Sequence, residues 1–257
     1  MDWSTKFNQF INVLLTQPRW QTALLQGLWN TIRISVFGLI IGIVIGTIVA
    51  TIVVMPKNKS PLKILEKLCS IYVAIFRGTP MVAQLLIAYY VLCPLFGISG
   101  GIDSVLVGTI VFGLNSGAYV SEIMRGGLNS VDPGQMEAGR SLGMTYGQTM
   151  LRIVIPQAIK NILPTLGNEF VTLIKETSVL HMITVRDLYT VLKELSTPLY
   201  DQVMPYLFLA LVYIILVLLI TALVKILEKS LGKSDRRTTS FVKKRTFFGL
   251  KIGGRKA

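Results

Sequence analysis

The stretch DPGQMEAGRSLGMTYGQTMLRIVIP, residues 132–156, is a polar, turn-rich interruption between hydrophobic segments. Asp132 can accept backbone N–H bonds as an N-cap, and Pro133 fits the first position of a helix. Gln135, at the third helical position, predicts a capping box with Asp132. Gly143 tolerates a left-handed backbone and therefore suits the residue that follows the helix. The pattern predicts a short helix of about ten residues, roughly 15 Å long.

A second short helix is predicted directly after the first. Thr145 is a good N-cap, and Gln148, three residues later, is its expected capping partner. The first helix carries the polar side chains Glu137, Arg140 and Ser141. Such a helix between membrane segments either docks on a partner or is an ordinary connecting loop with solvated charges, and spacing alone leaves both interpretations open.

The composition of the chain places it in the membrane. Of its 257 residues 52% are hydrophobic and only 15% are charged, and the mean hydropathy is +0.60. These values are typical of an integral membrane protein and not of a soluble domain. The formal net charge of +13 lies beside apolar segments and in the C-terminal tail, a distribution that fits a lipid surface better than nucleic acid. The two cysteines and the single histidine show no metal-ligand spacing, and no metal site is expected.

Five segments are predicted to cross the bilayer, which gives an all-α membrane protein with five transmembrane helices. They are Ile34–Met55, Pro61–Phe96, Ser104–Ser121, Ile153–Ile174 and Pro205–Val224. The second, at 36 residues, would be about 54 Å long as one helix, so it must be longer than the membrane is thick or broken. Arg77-Gly78-Thr79-Pro80 predicts the break. In the first, small residues at every fourth position from Gly38 to Ala50 favour close helix packing, either within one subunit or between two.

Basic residues predict the orientation of these helices. Lys57, Lys59 and Lys63 follow the first span, whereas the loop Gly97–Asp103 contains no basic residue. The positive-inside rule then places the N-terminus outside, the 132–156 corner inside and the C-terminus inside. We divide the chain into an N-terminal interfacial segment (1–27), a membrane domain (28–230) with the capped helix at 132–145, and a basic cytoplasmic tail (231–257). The tail rests on anionic headgroups or is solvated and disordered.

Several polar side chains lie at depths where hydrocarbon offers no hydrogen-bond partner. They are candidates for a translocation path: Gln84, Asn115, Ser116, Tyr119, Glu122 and Glu169. Carboxylates and amides could meet the ammonium and carboxylate of an amino acid. The same residues could instead tie helices together, and Glu122 could pair with Arg125.

Four separated elements resemble one family. They are Arg77–Pro80, Asn115–Arg125, the capped corner with Glu137-Ala138, Gly143 and Pro156, and Lys175–Leu180. The corner resembles the EAA loop of ABC-importer permeases, with Gly139 where the family usually has alanine. In their order and depth, the four elements are similar to the polar amino-acid branch of type I ABC importers, whose permeases share a core of five transmembrane helices.

The resemblance implies a non-catalytic permease subunit in a bacterial cytoplasmic membrane. A dimeric partner ATPase would bind ATP and Mg²⁺, which this chain does not hold, and would push on the coupling residues Glu137, Ala138, Gly139, Arg140, Ser141 and Gly143. Further implied partners are an extracytoplasmic amino-acid-binding protein, a second permease (an identical or related chain) and membrane lipids. A permease for another small polar solute, an ABC exporter and a channel subunit remain alternatives. A secondary transporter and a membrane enzyme are disfavoured because the sequence shows no repeat and no catalytic cluster.

Overall fold

The structure, a computed structural model, describes residues 2–55, 60–98 and 103–249, and these contain helices and short connections without a strand. The helices are α1 Trp3–Thr16, α2 Pro18–Val54, α3 Ser60–Gly78, α4 Met81–Leu86, α5 Cys93–Leu95, α6 Ser104–Asn129, α7 Pro133–Ser141, α8 Tyr146–Thr149, α9 Ile155–Glu176, α10 Leu188–Leu199 and α11 Val203–Gly249. A π-helical segment joins α4 to α5 (Ile87–Leu92) and another joins α8 to α9 (Met150–Val154), and a 3₁₀ helix (Thr177–Ile183) follows α9. Lys57, Lys59, most of the predicted Gly97–Asp103 loop and the end of the tail lie outside the described residues.

The membrane-spanning character of the chain is confirmed by helix length and hydropathy. In the described part, α2, α6 and the segment Val203–Ser230 of α11 are each long and apolar enough to cross a bilayer. The pair Pro61–Gly78 and Met81–Leu95 passes the same test together and is bent by 108°. The predicted break at Arg77–Pro80 is therefore confirmed. Because α9 carries internal prolines and polar residues, it does not meet this criterion, and its crossing stays a prediction.

The centre of the fold is the pair α2 and α6, which pack through glycine. A Cβ on Gly38 would lie 3.1 Å from the Cβ of Phe112, and a Cβ on Gly42 would lie 2.7 Å from Ser116 Oγ. Gly46 similarly faces Val120. The helix backbones approach closely because these positions have no side chain. Of the two interpretations of the glycine repeat, packing within one chain is confirmed.

Two predicted domain boundaries do not coincide with helix ends, and the division itself stays a prediction. The first long helix already begins at Pro18, so a boundary at residue 27/28 falls inside it. Helix α1 does not simply lie on the membrane, because Phe10 is buried against Phe208 and Lys6 Nζ lies 3.1 Å from Asp201 Oδ1. At the other end, the backbone of α11 runs through residue 230 to Gly249 without a break.

Candidate coupling helix and translocation path

The cap residues at the corner decide its geometry. Asp132 Oδ1 accepts a hydrogen bond from the Gly134 N–H at 2.8 Å, and Gly143 adopts a φ of +80°. Both features follow the sequence-based prediction. The predicted capping box at Gln135 is wrong, because the Gln135 carboxamide accepts a hydrogen bond from Gln157 of α9 instead.

The second cap forms as predicted. The Thr145 N–H donates to Gln148 Oε1 at 2.9 Å, and the Gln148 N–H donates to Thr145 Oγ1 at 3.3 Å. This reciprocal pair starts α8, and the π-helical segment Met150–Val154 then leads directly into α9. Helix α7 is thus joined to a candidate membrane helix by a single hydrogen-bonded corner.

The predicted coupling residues divide into an outer face and an inner face. Glu137, Ala138, Arg140, Ser141 and Gly143 are exposed. Gly139 is buried, and a Cβ at this position would lie 2.5 Å from Thr149 Cγ2. The outer set is free for contact with a partner, whereas Gly139 fixes α7 against its own chain.

Sequence reasoning missed an apolar residue at the tip of this helix. Leu142 is 81% exposed, and Tyr146 next to it is 39% exposed. A leucine between Ser141 and Gly143 is unusual for a solvated loop. Its position in the sequence was therefore a signal from which this contact residue could have been predicted. Exposed apolar side chains beside charged ones are typical of a protein contact.

Gln84 and Asn115 tie helices together. Gln84 Nε2 donates to the Phe76 carbonyl at 2.8 Å and to the Thr79 carbonyl at 3.0 Å, and Asn115 Nδ2 donates to Gln84 Oε1 at 3.0 Å. Phe76 lies in the last turn of α3 and Thr79 directly follows the helix, at the point where Pro80 prevents it from continuing. Of the two roles left open for Gln84, the structure supports the interhelical tie.

Tyr119 and Glu122 form a second group, in which the cation differs from the predicted one. Arg77 Nη1 lies 2.5 Å from Glu122 Oε2, and the Arg77 guanidinium stands 5.3 Å from the centre of the Tyr119 ring. The alternative pair of Glu122 with Arg125 is not the one formed. This ion pair balances the charge of Arg77 beside the helix break.

Ser116 and Glu169 form a third group, between α6 and α9. Ser116 Oγ donates to Glu169 Oε1 at 2.9 Å, and Ser116 is fully buried. Within the described part of the chain, no cationic side chain pairs with Glu169. A carboxylate at this depth that lacks a counter-ion is suited to a cationic group that arrives from outside the chain.

Polar side chains near the start of α10, at the end of the bundle away from the α7 corner, have local structural roles. His181 Nδ1 lies 2.8 Å from the Ser178 carbonyl, and its ring packs on Tyr189. Asp187 caps α10 through the N–H of Thr190 at 2.9 Å. Burial raises the pKa of the Asp187 carboxyl, and the hydrogen bonds from Thr190 act in the opposite direction. In the described residues, no cluster of His, Cys, Asp and Glu could hold a metal ion.

Comparison with known sequences identifies relatives along most of the chain. Residues 38–233 match the family described as binding-protein-dependent transport system inner membrane component. The chain is 36% identical over 213 residues to the arginine transport system permease protein ArtQ of Bacillus subtilis, covering 82% of this chain and 94% of the relative. It is 40% identical over 212 residues to the putative glutamine transport system permease protein GlnP of Rickettsia conorii, covering 81% and 92%.

Solved structures show the same fold. A crystal structure of an amino acid ABC transporter with histidines superposes with a TM-score of 0.75 at 34% identity, covering 84% of this chain and 98% of that one. An inward-facing MetNI methionine ABC transporter superposes with a TM-score of 0.69 at 19% identity, covering 84% and 98%, and this likeness supports the fold alone. The chain therefore belongs to the family of binding-protein-dependent transport system inner membrane components.

Proposed function

We propose that this chain is the permease subunit of an ATP-driven importer of polar amino acids. The family match spans residues 38–233. Relatives of at least 36% identity are named for arginine and for glutamine transport. The permease supplies the path for the substrate and the helix on which the partner ATPase pushes. ATP and Mg²⁺ bind to a partner ATPase, and the substrate is delivered by an extracytoplasmic binding protein to a pair of permeases.

The observation that carries this proposal is the corner at α7. Its outer face presents Glu137 and Arg140 beside the apolar tip residue Leu142, while Gly139 and Thr149 anchor the helix from behind. We assign the ATPase contact to this outer face. Closure of the ATPase dimer pushes α7, and the push passes through the capped corner to α9 and changes which side of the path is open.

The test of this contact is ATPase stimulation in proteoliposomes that contain the whole transporter. Glu137→Lys and Leu142→Asp should each reduce stimulation by the loaded binding protein at least tenfold, because each removes a contact from the centre of the interface. Glu228→Lys is the matched control, a charge reversal just beyond the predicted cytoplasmic end of the span Pro205–Val224. Normal stimulation in both α7 variants would refute the assignment.

For the substrate path we propose that Glu169, supported by Ser116, contacts the ammonium of the amino acid. Of the two candidate carboxylates, Glu169 has no ion-pair partner in the described part of the chain, whereas Glu122 is paired with Arg77. Asn115 and Gln84 shape the path by fixing the helix break, and Tyr119 supports Arg77.

Transport measurements with two isosteric variants separate these roles. Glu169→Gln should weaken the apparent affinity for the amino acid about tenfold, because it removes the charge that faces the ammonium. Glu122→Gln should lower thermal stability instead, because it leaves Arg77 unpaired. An unchanged affinity in Glu169→Gln would show that this carboxylate does not contact the amino acid.

A further inference from the structure

A cavity of about 370 Å³ lies between α2, α3 and α6, away from the pair Ser116–Glu169. Its lining combines apolar and polar side chains. The residues from α2 are apolar, Val49, Ala50 and Val53, whereas α3 and α6 contribute the polar residues Ser70, Arg77, Ser121, Glu122 and Arg125. The cavity thus offers an apolar surface on α2 and charged groups on α3 and α6.

The charges of this cavity do not cancel. Glu122 is paired with Arg77, and within the described residues Arg125 has neither an ion pair nor a hydrogen-bonded acid. One positive charge is left over, and most N–H donors of the two guanidinium groups remain available. Paired, forked donors of this kind match the oxygens of a phosphate group.

The cavity lies near one end of the bundle. Val49 and Val53 belong to the last turns of α2, which ends at Val54, and Arg125 is one turn before the end of α6 at Asn129. Lys63 and Lys67 precede Arg77 on α3 and are exposed. In the orientation of the proposed function this end faces the cytoplasm, so the cavity lies at the depth of the inner headgroups.

We infer that this cavity binds an anionic phospholipid of the cytoplasmic leaflet. The phosphate lies against Arg125 and the free N–H groups of Arg77, and an acyl chain lies along Val49, Ala50 and Val53. Basic pockets between transmembrane helices on this side of a membrane are suited to acidic headgroups. A zwitterionic amino acid fits less well, since its ammonium needs a carboxylate and Glu122 is already engaged by Arg77. The inference depends on the membrane orientation given with the proposed function. It does not depend on which substrate the transporter carries.

Native mass spectrometry of the complete transporter, purified from nanodiscs of phosphatidylcholine with or without phosphatidylglycerol, tests the inference. The wild type should retain phosphatidylglycerol in preference to phosphatidylcholine. Arg125→Gln should reduce its retention about fivefold, the effect expected for one basic residue near an acidic headgroup. Arg152→Gln, which removes an exposed arginine near the α7 corner but outside the cavity, should leave retention unchanged. The melting temperature in phosphatidylcholine alone shows that each variant is folded.

Three results would overturn the inference. The first is equal retention of the two lipids, and the second is undiminished retention in Arg125→Gln. The third is displacement of the lipid by free amino acid, which would make the cavity part of the transport path. Amino-acid uptake by the wild type is measured in parallel. Selective lipid retention without uptake would contradict the proposed function and leave the lipid site intact.

Discussion

At the residue scale, Gly139 and Thr149 form a matched pair. The resembling permeases usually carry alanine at the position of Gly139. Here a Cβ would lie 2.5 Å from Thr149 Cγ2 and 2.8 Å from Thr149 Oγ1, and Thr149 is fully buried. Glycine weakens α7 by about 1 kcal/mol relative to alanine. The close packing of α7 on the corner offsets that cost, so the departure from the family pattern has a local physical reason.

We therefore expect Gly139→Ala to lower the melting temperature in detergent, followed by circular dichroism. Forcing a methyl group into a packed contact costs about 1–3 kcal/mol, which is more than the gain in helix propensity. In a Thr149→Ala background only the Cβ at position 149 remains, 3.2 Å from the added methyl group, so the same substitution should lower the melting temperature much less. A shift of the same sign and size in both backgrounds would show that the two residues are not coupled.

At the element scale, the bend between α3 and α4 is held by the side chains of Gln84 and Asn115. The carbonyls of Phe76 and Thr79 have no continuing helix to accept from, and Gln84 Nε2 donates to both. Asn115 of α6 in turn donates to Gln84 Oε1, so the break is tied to the central pair of helices. A bend of 108° is thus fixed by hydrogen bonds at the point where proline removes the regular one.

Gln84→Leu should destabilise the protein, since the Thr79 carbonyl loses the Gln84 amide donor and Asn115 keeps only its 3.3 Å hydrogen bond to the Phe76 carbonyl, at about 1–3 kcal/mol for each buried group left unsatisfied. The melting temperature should fall by several degrees, while the folded fraction keeps its affinity for the amino acid. Gln157→Leu is the matched control, because the Gln157 carboxamide bonds only Gln135 and the Ile153 carbonyl. Reduced affinity at an unchanged melting temperature would instead make Gln84 a residue that contacts the substrate.

At the scale of the whole molecule, the described elements gather at two ends. One end holds α1, α10 and the start of α2, joined by the bond from Asn30 Nδ2 to the Arg186 carbonyl at 2.8 Å and by the Lys6–Asp201 pair. The other holds the ends of α2 and α6 and the corner at α7. We expect the first end outside the cell and the second in the cytoplasm, since Lys63 and Lys67 lie in the first half of α3, before its apolar second half.

Cysteine labelling tests this orientation. In a Cys69→Ala/Cys93→Ala background, a membrane-impermeant maleimide should label Tyr200→Cys in intact cells, because Tyr200 is 97% exposed at the outer end. Ser141→Cys on α7 should be labelled only after permeabilisation. The reverse pattern would invert the topology and rule out a cytoplasmic ATPase contact at α7.

Local signals in the sequence were sufficient for the Asp132 cap, the Thr145–Gln148 capping box, the membrane-spanning character of the chain and the helix break. Asp132, Gly143 and the Thr145–Gln148 box act on backbone groups a few residues away, and hydropathy reports whether a segment is stable in lipid. The capped corner and its exposed polar face were therefore predictable from the chain alone. The start of α2 at Pro18 was missed because Arg33 directly precedes the uncharged run, so the span was placed from Ile34 onward although the helix begins sixteen residues earlier.

The tertiary structure alone decided which polar side chains meet. The pairs Gln84–Asn115 and Ser116–Glu169 are separated by 31 and 53 residues, and Arg77 rather than Arg125 reaches Glu122. Each pair depends on how α3, α6 and α9 pack against one another, and hydropathy does not determine how helices pack. Hydrogen bonding and hydropathy along the chain thus determined a polytopic membrane protein with a capped corner. Which carboxylate lacks a cation, and hence could face a substrate, depended on contacts between residues that are distant in sequence.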